Sequence, residues 1–115
     1  LVVRSRTLRT TGIAESKLAD EMGELAKDPL GTRLAYLPGW EGVDLRVSVW
    51  NEPADRAMQL LDDAERAIRA KVGTWVYGVD DDDLAALVLE QLRRRSHRIA
   101  VAESCTGGML GMRLT

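Results

Sequence analysis

No phenylalanine occurs in the chain, so Leu, Val, Ala and three Trp must fill whatever core it builds. That suits a small, alanine-rich helical packing better than a large pocket. The one cysteine, Cys105, cannot form an intrachain disulfide, and a lone thiol belongs in a reducing compartment. A cytoplasmic protein is expected. No apolar run approaches the ~20 residues a membrane-spanning helix needs, and no signal-peptide pattern is visible. Neither charge predominates: 16 Lys and Arg stand against 18 Asp and Glu, for a net charge of −2, with the signs interspersed. Without a basic excess, neither a nucleic-acid partner nor a membrane surface is expected. At 115 residues the chain has room for one ordinary domain, or one small domain and part of another. It begins at Leu1 without an initiator Met and stops at Thr115 as a helix gets under way, so a piece of a longer polypeptide is expected.

What is present falls into two parts. Residues 1–9, rich in Val, Thr and Arg, predict an edge strand ended by Gly12. Leu18, Met22, Leu25 and Ala26 recur at helical spacing and predict a helix over residues 15–27, stopped by Pro29. Residues 32–37 predict a strand, and 38–42 a turn. In residues 43–50, Val43, Leu45, Val47 and Val49 alternate with Asp44, Arg46, Ser48 and Trp50, the pattern of a half-buried strand. Asn51 and Pro53 signal the start of a helix. It carries Ala54, Ala57, Met58, Leu61, Ala64, Ile68 and Val72 to about Lys71, where Gly73 closes it before a short strand over residues 74–77. The order β-α-β-β-α-β predicts an α+β fold, a two-layer unit with its helices on one face of the sheet. A boundary is expected near Gly78, giving domains over residues 1–78 and 79–115. Asp80 to Asp83 and Arg93 to Arg95 place complementary charges at the two ends of the next helix, whose apolar face is Leu84, Leu87, Val88 and Leu92.

The second part centres on residues 98–115. Ile99 to Ala102 predict a short strand buried on both faces, and Met109, Leu110, Met112 and Leu114 the start of a helix. Between them lie Glu103, Ser104, Cys105 and Thr106, then the pair Gly107 and Gly108, which lets the backbone turn sharply. Such a turn aims amide N–H groups at one point, where an anion or a developing oxyanion can be held. Ser104 is the candidate nucleophile. By spacing alone, a serine here more commonly caps the helix.

The run Ala102-Glu103-Ser104-Cys105-Thr106-Gly107-Gly108 resembles the signature that opens the C-terminal domain of the CinA (competence/damage-inducible) family, a nicotinamide mononucleotide amidohydrolase. Residues 9–18, Arg-Thr-Thr-Gly-Ile-Ala-Glu-Ser-Lys-Leu, and Trp75-Val76-Tyr77-Gly78 resemble segments of the KH-like domain that precedes it. The resemblance implies a KH-like unit followed by the first helix, strand and helix start of a truncated α/β domain. It also implies deamidation of nicotinamide mononucleotide to nicotinic acid mononucleotide, with Ser104 as nucleophile and a lysine further along as base. Cys105, Thr106, Gly107 and Gly108 would then bind substrate or oxyanion, with Glu103 in support. No cofactor or metal is implied for that step, and a homo-oligomer is expected. Longer members carry a metal-dependent nucleotide pyrophosphatase domain, of which this chain shows no part.

The base is missing from the sequence given. His97 precedes the expected strand at the end away from the loop, and at roughly 3.3 Å per residue it is too distant to serve Ser104 without a fold-back. That argues against a Ser-His-Asp arrangement. Lys17, Lys27 and Lys71 match no catalytic motif. The chain therefore carries half of a dyad and is expected to be inactive alone. Cys105 is the rival nucleophile, since a helix N-terminus favours the thiolate, but a free cysteine is more commonly a buried packing residue. Glu103 could bind a ribose hydroxyl or a metal, and more simply orders the loop by hydrogen bonding. Gly39-Trp40-Glu41-Gly42 has the GxxG form with which KH domains clamp nucleic-acid backbone, yet it carries an acid and sits in a hairpin, so it reads as a turn. Trp40, Trp50 and Trp75 read as core or interdomain packing rather than stacking platforms. A non-catalytic KH-like scaffold or oligomerisation module is the alternative to the amidohydrolase.

Overall fold

The computed structural model describes residues 2–115. They form two compact units that divide after Asp80.

The first unit holds β1 (Val3–Thr10), α1 (Glu15–Met22), β2 (Arg33–Pro38), β3 (Val43–Trp50), α2 (Ala54–Val72) and β4 (Val76–Val79), with single 3-10 turns at Gly23–Ala26, Pro29–Gly31 and Gly73–Trp75. The four strands make one antiparallel sheet in the order β2-β3-β1-β4. This is the α+β arrangement anticipated from the element order, with one correction. β1 is interior rather than an edge, because β4 pairs with its free side through Leu8↔Val79 and Arg9↔Gly78.

Alternation in β3 sets the two faces. Val43, Leu45, Val47 and Val49 are buried beneath the helices, together with Leu8 from β1 and Leu18 and Met22 from α1. α2 contributes Ala57, Leu61, Ala64, Ile68 and Val72, a stripe at the helical period. Each large aliphatic side chain enclosed in this way contributes about 1.5–3 kcal/mol through the water it leaves. Arg6 also faces the helix side, opposite Val47, and Nη1 reaches Asp62 at 2.6 Å and Glu65 at 3.1 Å on α2. The opposite face is polar. There Ser5 meets Ser48 hydroxyl to hydroxyl at 2.9 Å, and Arg9 donates to Asp44 at 2.8 Å while lying 5.6 Å from the centre of the Tyr77 ring.

Several local expectations shift. α1 ends at Met22 because Gly23 turns to φ +59°, and Leu25 and Ala26 pack against the core from a 3-10 turn instead of a continued helix. Asn51 does not cap α2. It adopts φ +56°, and its Oδ1 accepts the Val2 N–H at 2.9 Å, so it ties down the start of β1. Of the tryptophans only Trp75 packs against the core, whereas Trp40 at the hairpin tip is 95 % exposed and Trp50 is 46 % exposed on the polar face. The Gly39–Gly42 segment is the expected hairpin turn, closed by Gly39 N–H donating to the Gly42 carbonyl at 2.8 Å.

The second unit contains α3 (Leu84–Arg94) and α4 (Met109–Leu114). Asp83 caps α3 by accepting the Ala86 N–H at 3.1 Å, and its other oxygen meets Arg113 of α4 at 2.8 Å. α3 ends in a left-handed residue, Ser96 at φ +54°, after which His97 N–H donates to the Leu92 carbonyl at 2.8 Å. That six-to-one closure is the usual way to satisfy the last carbonyls of a helix. The expected buried strand at Ile99 to Ala102 is not formed. Ile99 is 48 % and Val101 42 % exposed, with no ladder. A strand needs a neighbour for its N–H and C=O groups, and the second unit offers no other strand among the described residues.

Candidate active site

Residues 103–108 form an irregular loop between that segment and α4. Three of its residues sit in the left-handed region: Cys105 at φ +72°, Gly107 at +64° and Gly108 at +86°. The glycines take this conformation at no steric cost, and Cys105 does not. The backbone therefore coils tightly just after Ser104.

Ser104 lies on the surface. Its hydroxyl has one polar neighbour, the Cys105 thiol at 3.7 Å, and no base within reach among the described residues. The serine does not cap α4. The helix N-cap is Gly108, whose position carries no side-chain cap, and the capping work is done by Glu103. Its Oε1 accepts the Leu110 N–H at 2.6 Å and the Thr106 hydroxyl at 3.0 Å, while Oε2 accepts the Gly111 N–H at 3.0 Å. Leu110 and Gly111 occupy the second and third helical positions, whose amides lack an intrahelical acceptor. These hydrogen bonds, that from Gly111 foremost, hold the Glu103 carboxyl below its ordinary range. Glu103 thus ties the loop to the start of α4 by hydrogen bonds. The sequence pattern did not show that they extend seven and eight residues downstream.

Cys105 corrects an expectation. It is exposed rather than buried, because the left-handed turn carries its side chain out of the unit. The N–H groups of Cys105, Thr106, Gly107 and Gly108 meet no acceptor among the described residues. Thr106 is engaged through its side chain alone, and Gly111 lets α4 approach the carboxylate, since a Cβ there would lie 3.1 Å from Glu103 Oε2. His97 is exposed, its backbone spent on closing α3. Lys17, Lys27 and Lys71 belong to the first unit. Among the described residues no group of three or more His, Cys, Asp or Glu could hold a metal ion, and no helix is long and apolar enough to cross a membrane.

Comparison with known proteins follows the same division. Residues 5–78 match the family described as the damage-inducible protein CinA KH domain, and residues 81–115 match the CinA C-terminal domain. A CinA-like protein of Gemmatimonas aurantiaca is 57% identical over 114 residues, covering 99% of this chain and 27% of the relative. CinA-like proteins of Salinibacter ruber and Prochlorococcus marinus are 45% and 44% identical, covering 98% and 96% of this chain and 27% and 25% of the relatives. The chain thus spans about a quarter of the length of the curated relatives it matches. With residues 5–78 matching the KH domain, residues 81–115, which carry the serine loop, matching the C-terminal domain, and a relative 57% identical across nearly the whole chain, the chain belongs to the CinA damage-inducible protein family.

Proposed function

We propose that residues 81–115 open an amidohydrolase domain that acts on a pyridine nucleotide, converting nicotinamide mononucleotide to nicotinic acid mononucleotide and ammonia. The observation that carries this reading is the exposed Ser104 hydroxyl, followed at once by four amides with no internal acceptor. Ser104 Oγ attacks the carboxamide carbon, and its proton passes to a lysine outside these residues. The amides of Cys105 to Gly108 hold the oxyanion. Breakage of the C–N bond, with proton return, releases ammonia, and water then frees the acid from the serine ester. The nucleotide phosphate is not assigned to the start of α4, because Glu103 already holds the Leu110 and Gly111 amides.

Ammonia release by the full-length parent tests the reading. Ser104→Ala lowers turnover by about a thousandfold or more, as loss of a nucleophile does in serine hydrolases, while Cys105→Ala retains it. The reverse pattern would make Cys105 the nucleophile. The 115-residue chain alone gives no turnover, and ammonia release from it would show that a base lies within it.

A second reading, the scaffold, is favoured by Trp40, an aromatic 95 % exposed on a hairpin tip. In it the KH-type unit mediates self-association into a homo-oligomer, independently of Ser104. Sedimentation of wild type against Trp40→Ala separates the two, because only the scaffold requires the mass to fall.

A further inference from the structure

Glu103 stands beside the serine and carries a charge that the proposed chemistry does not use. Both of its oxygens are engaged: Oε1 by the Thr106 hydroxyl and the Leu110 N–H, Oε2 by the Gly111 N–H. One donor, Thr106, lies inside the loop, and two lie on the helix that follows. The left-handed coil through Cys105, Gly107 and Gly108 is thereby tied to one carboxylate within the coil and just beyond its end. Cys105 holds φ +72° without the freedom of glycine, a conformation that persists only where surrounding contacts impose it. Gly111 supplies an independent sign that the carboxylate sits in a fitted place. It lies inside α4, where alanine is the better helix former, yet a Cβ there would press on Glu103 Oε2 at 3.1 Å and meet Val101 Cγ2 at 3.8 Å.

We infer that Glu103 is a positioning residue for Ser104: by gathering Thr106, Leu110 and Gly111 onto one carboxylate, it fixes the direction of the Ser104 hydroxyl and of the loop amides behind it. The inference rests on the serine reading above. Glu103 touches no reacting atom and transfers no proton. Its effect is on preorganisation, so it changes how fast bound substrate reacts more than how tightly substrate binds.

Two variants of the full-length parent test this, each compared with wild type and Ser104→Ala in ammonia release. Glu103→Gln keeps the length and removes one acceptor, so its NH2 must face either Gly111 N–H or the pair formed by Thr106 and Leu110. The expected result is a fall in kcat of tenfold or more with KM within about threefold of wild type. Gly111→Ala is the second variant. A purely structural role predicts a better helix and unchanged kcat, whereas positioning predicts a lower kcat although helicity by circular dichroism is retained or raised. Wild-type kcat in either folded variant, with Ser104→Ala inactive, overturns the inference and leaves the serine reading standing. Full activity of Ser104→Ala overturns the serine reading and this inference together.

Discussion

The carbonyl oxygen of Thr10 occupies the place where a side chain on residue 42 would begin. A Cβ built on Gly42 overlaps that oxygen and comes within 2.8 Å of the Thr10 carbonyl carbon, and Gly42 itself sits at φ +151°. The end of β1 is clasped to the hairpin here, for the Thr10 hydroxyl also donates to the Val43 carbonyl at 2.6 Å.

Gly42→Ala is therefore expected to destabilise the first unit by about 2–4 kcal/mol, since overpacking against rigid backbone adds to an unfavourable φ. The urea midpoint of unfolding checks it. Gly39→Ala, with nothing nearer than 3.8 Å, is the comparison and should cost far less.

Ile68 is wholly enclosed, and Met58, nearly three turns earlier on α2, is 52 % exposed. Ile68→Ala should cost about 2–5 kcal/mol and Ile68→Val about 0.5–1.5. Met58→Ala should fall well below the first of these, limited to the contact its sulfur makes with Arg6 Nη2 at 3.0 Å. Denaturant unfolding of the three variants orders them.

Tyr36 turns towards the core opposite Leu45, and its buried hydroxyl finds no partner among the described residues. Desolvation, aided by the charge of Glu15, pushes its phenol above the ordinary value. Tyr36→Phe removes an unsatisfied polar atom and keeps the ring, so it should be neutral or stabilise by about 1 kcal/mol. A loss of stability by thermal melting would reveal a bond to that hydroxyl.

Acid should loosen the serine loop. The Glu103 carboxyl is held below its ordinary value of 4.5 by the Gly111 and Leu110 amides and the Thr106 hydroxyl. A depressed folded value means that the order it confers is complete above the unfolded value and is lost as pH falls through the folded one. Amide exchange at Leu110 and Gly111, corrected for intrinsic pH dependence, should lose protection in that window, and Glu103→Gln, which keeps one acceptor oxygen, should show low protection at one of the two amides at every pH.

Much of the first unit could be read along the chain because its signals are local. The alternation through Val43, Leu45, Val47 and Val49 places one face of β3, and the helical stripe from Ala57 to Val72 faces it, so the α+β class follows from period alone. The place of β1 in the sheet was not legible in this way. Arg6 points inward, an orientation that composition reads as solvent-facing, and it does so because α2 brings Asp62 and Glu65 within reach.

In the loop, the sequence alone determined which chemical groups lie side by side: a carboxylate, a hydroxyl, a thiol and two glycines before a helix. Only the tertiary structure decided what each one does. It placed the thiol outward, gave the cap to Glu103 instead of Ser104, and left Ile99 to Ala102 unpaired. A hydrogen bond between residues seven or eight apart depends on how the chain turns between them. That turn is set by φ angles at Cys105, Gly107 and Gly108, which residue type permits and only the folded chain selects.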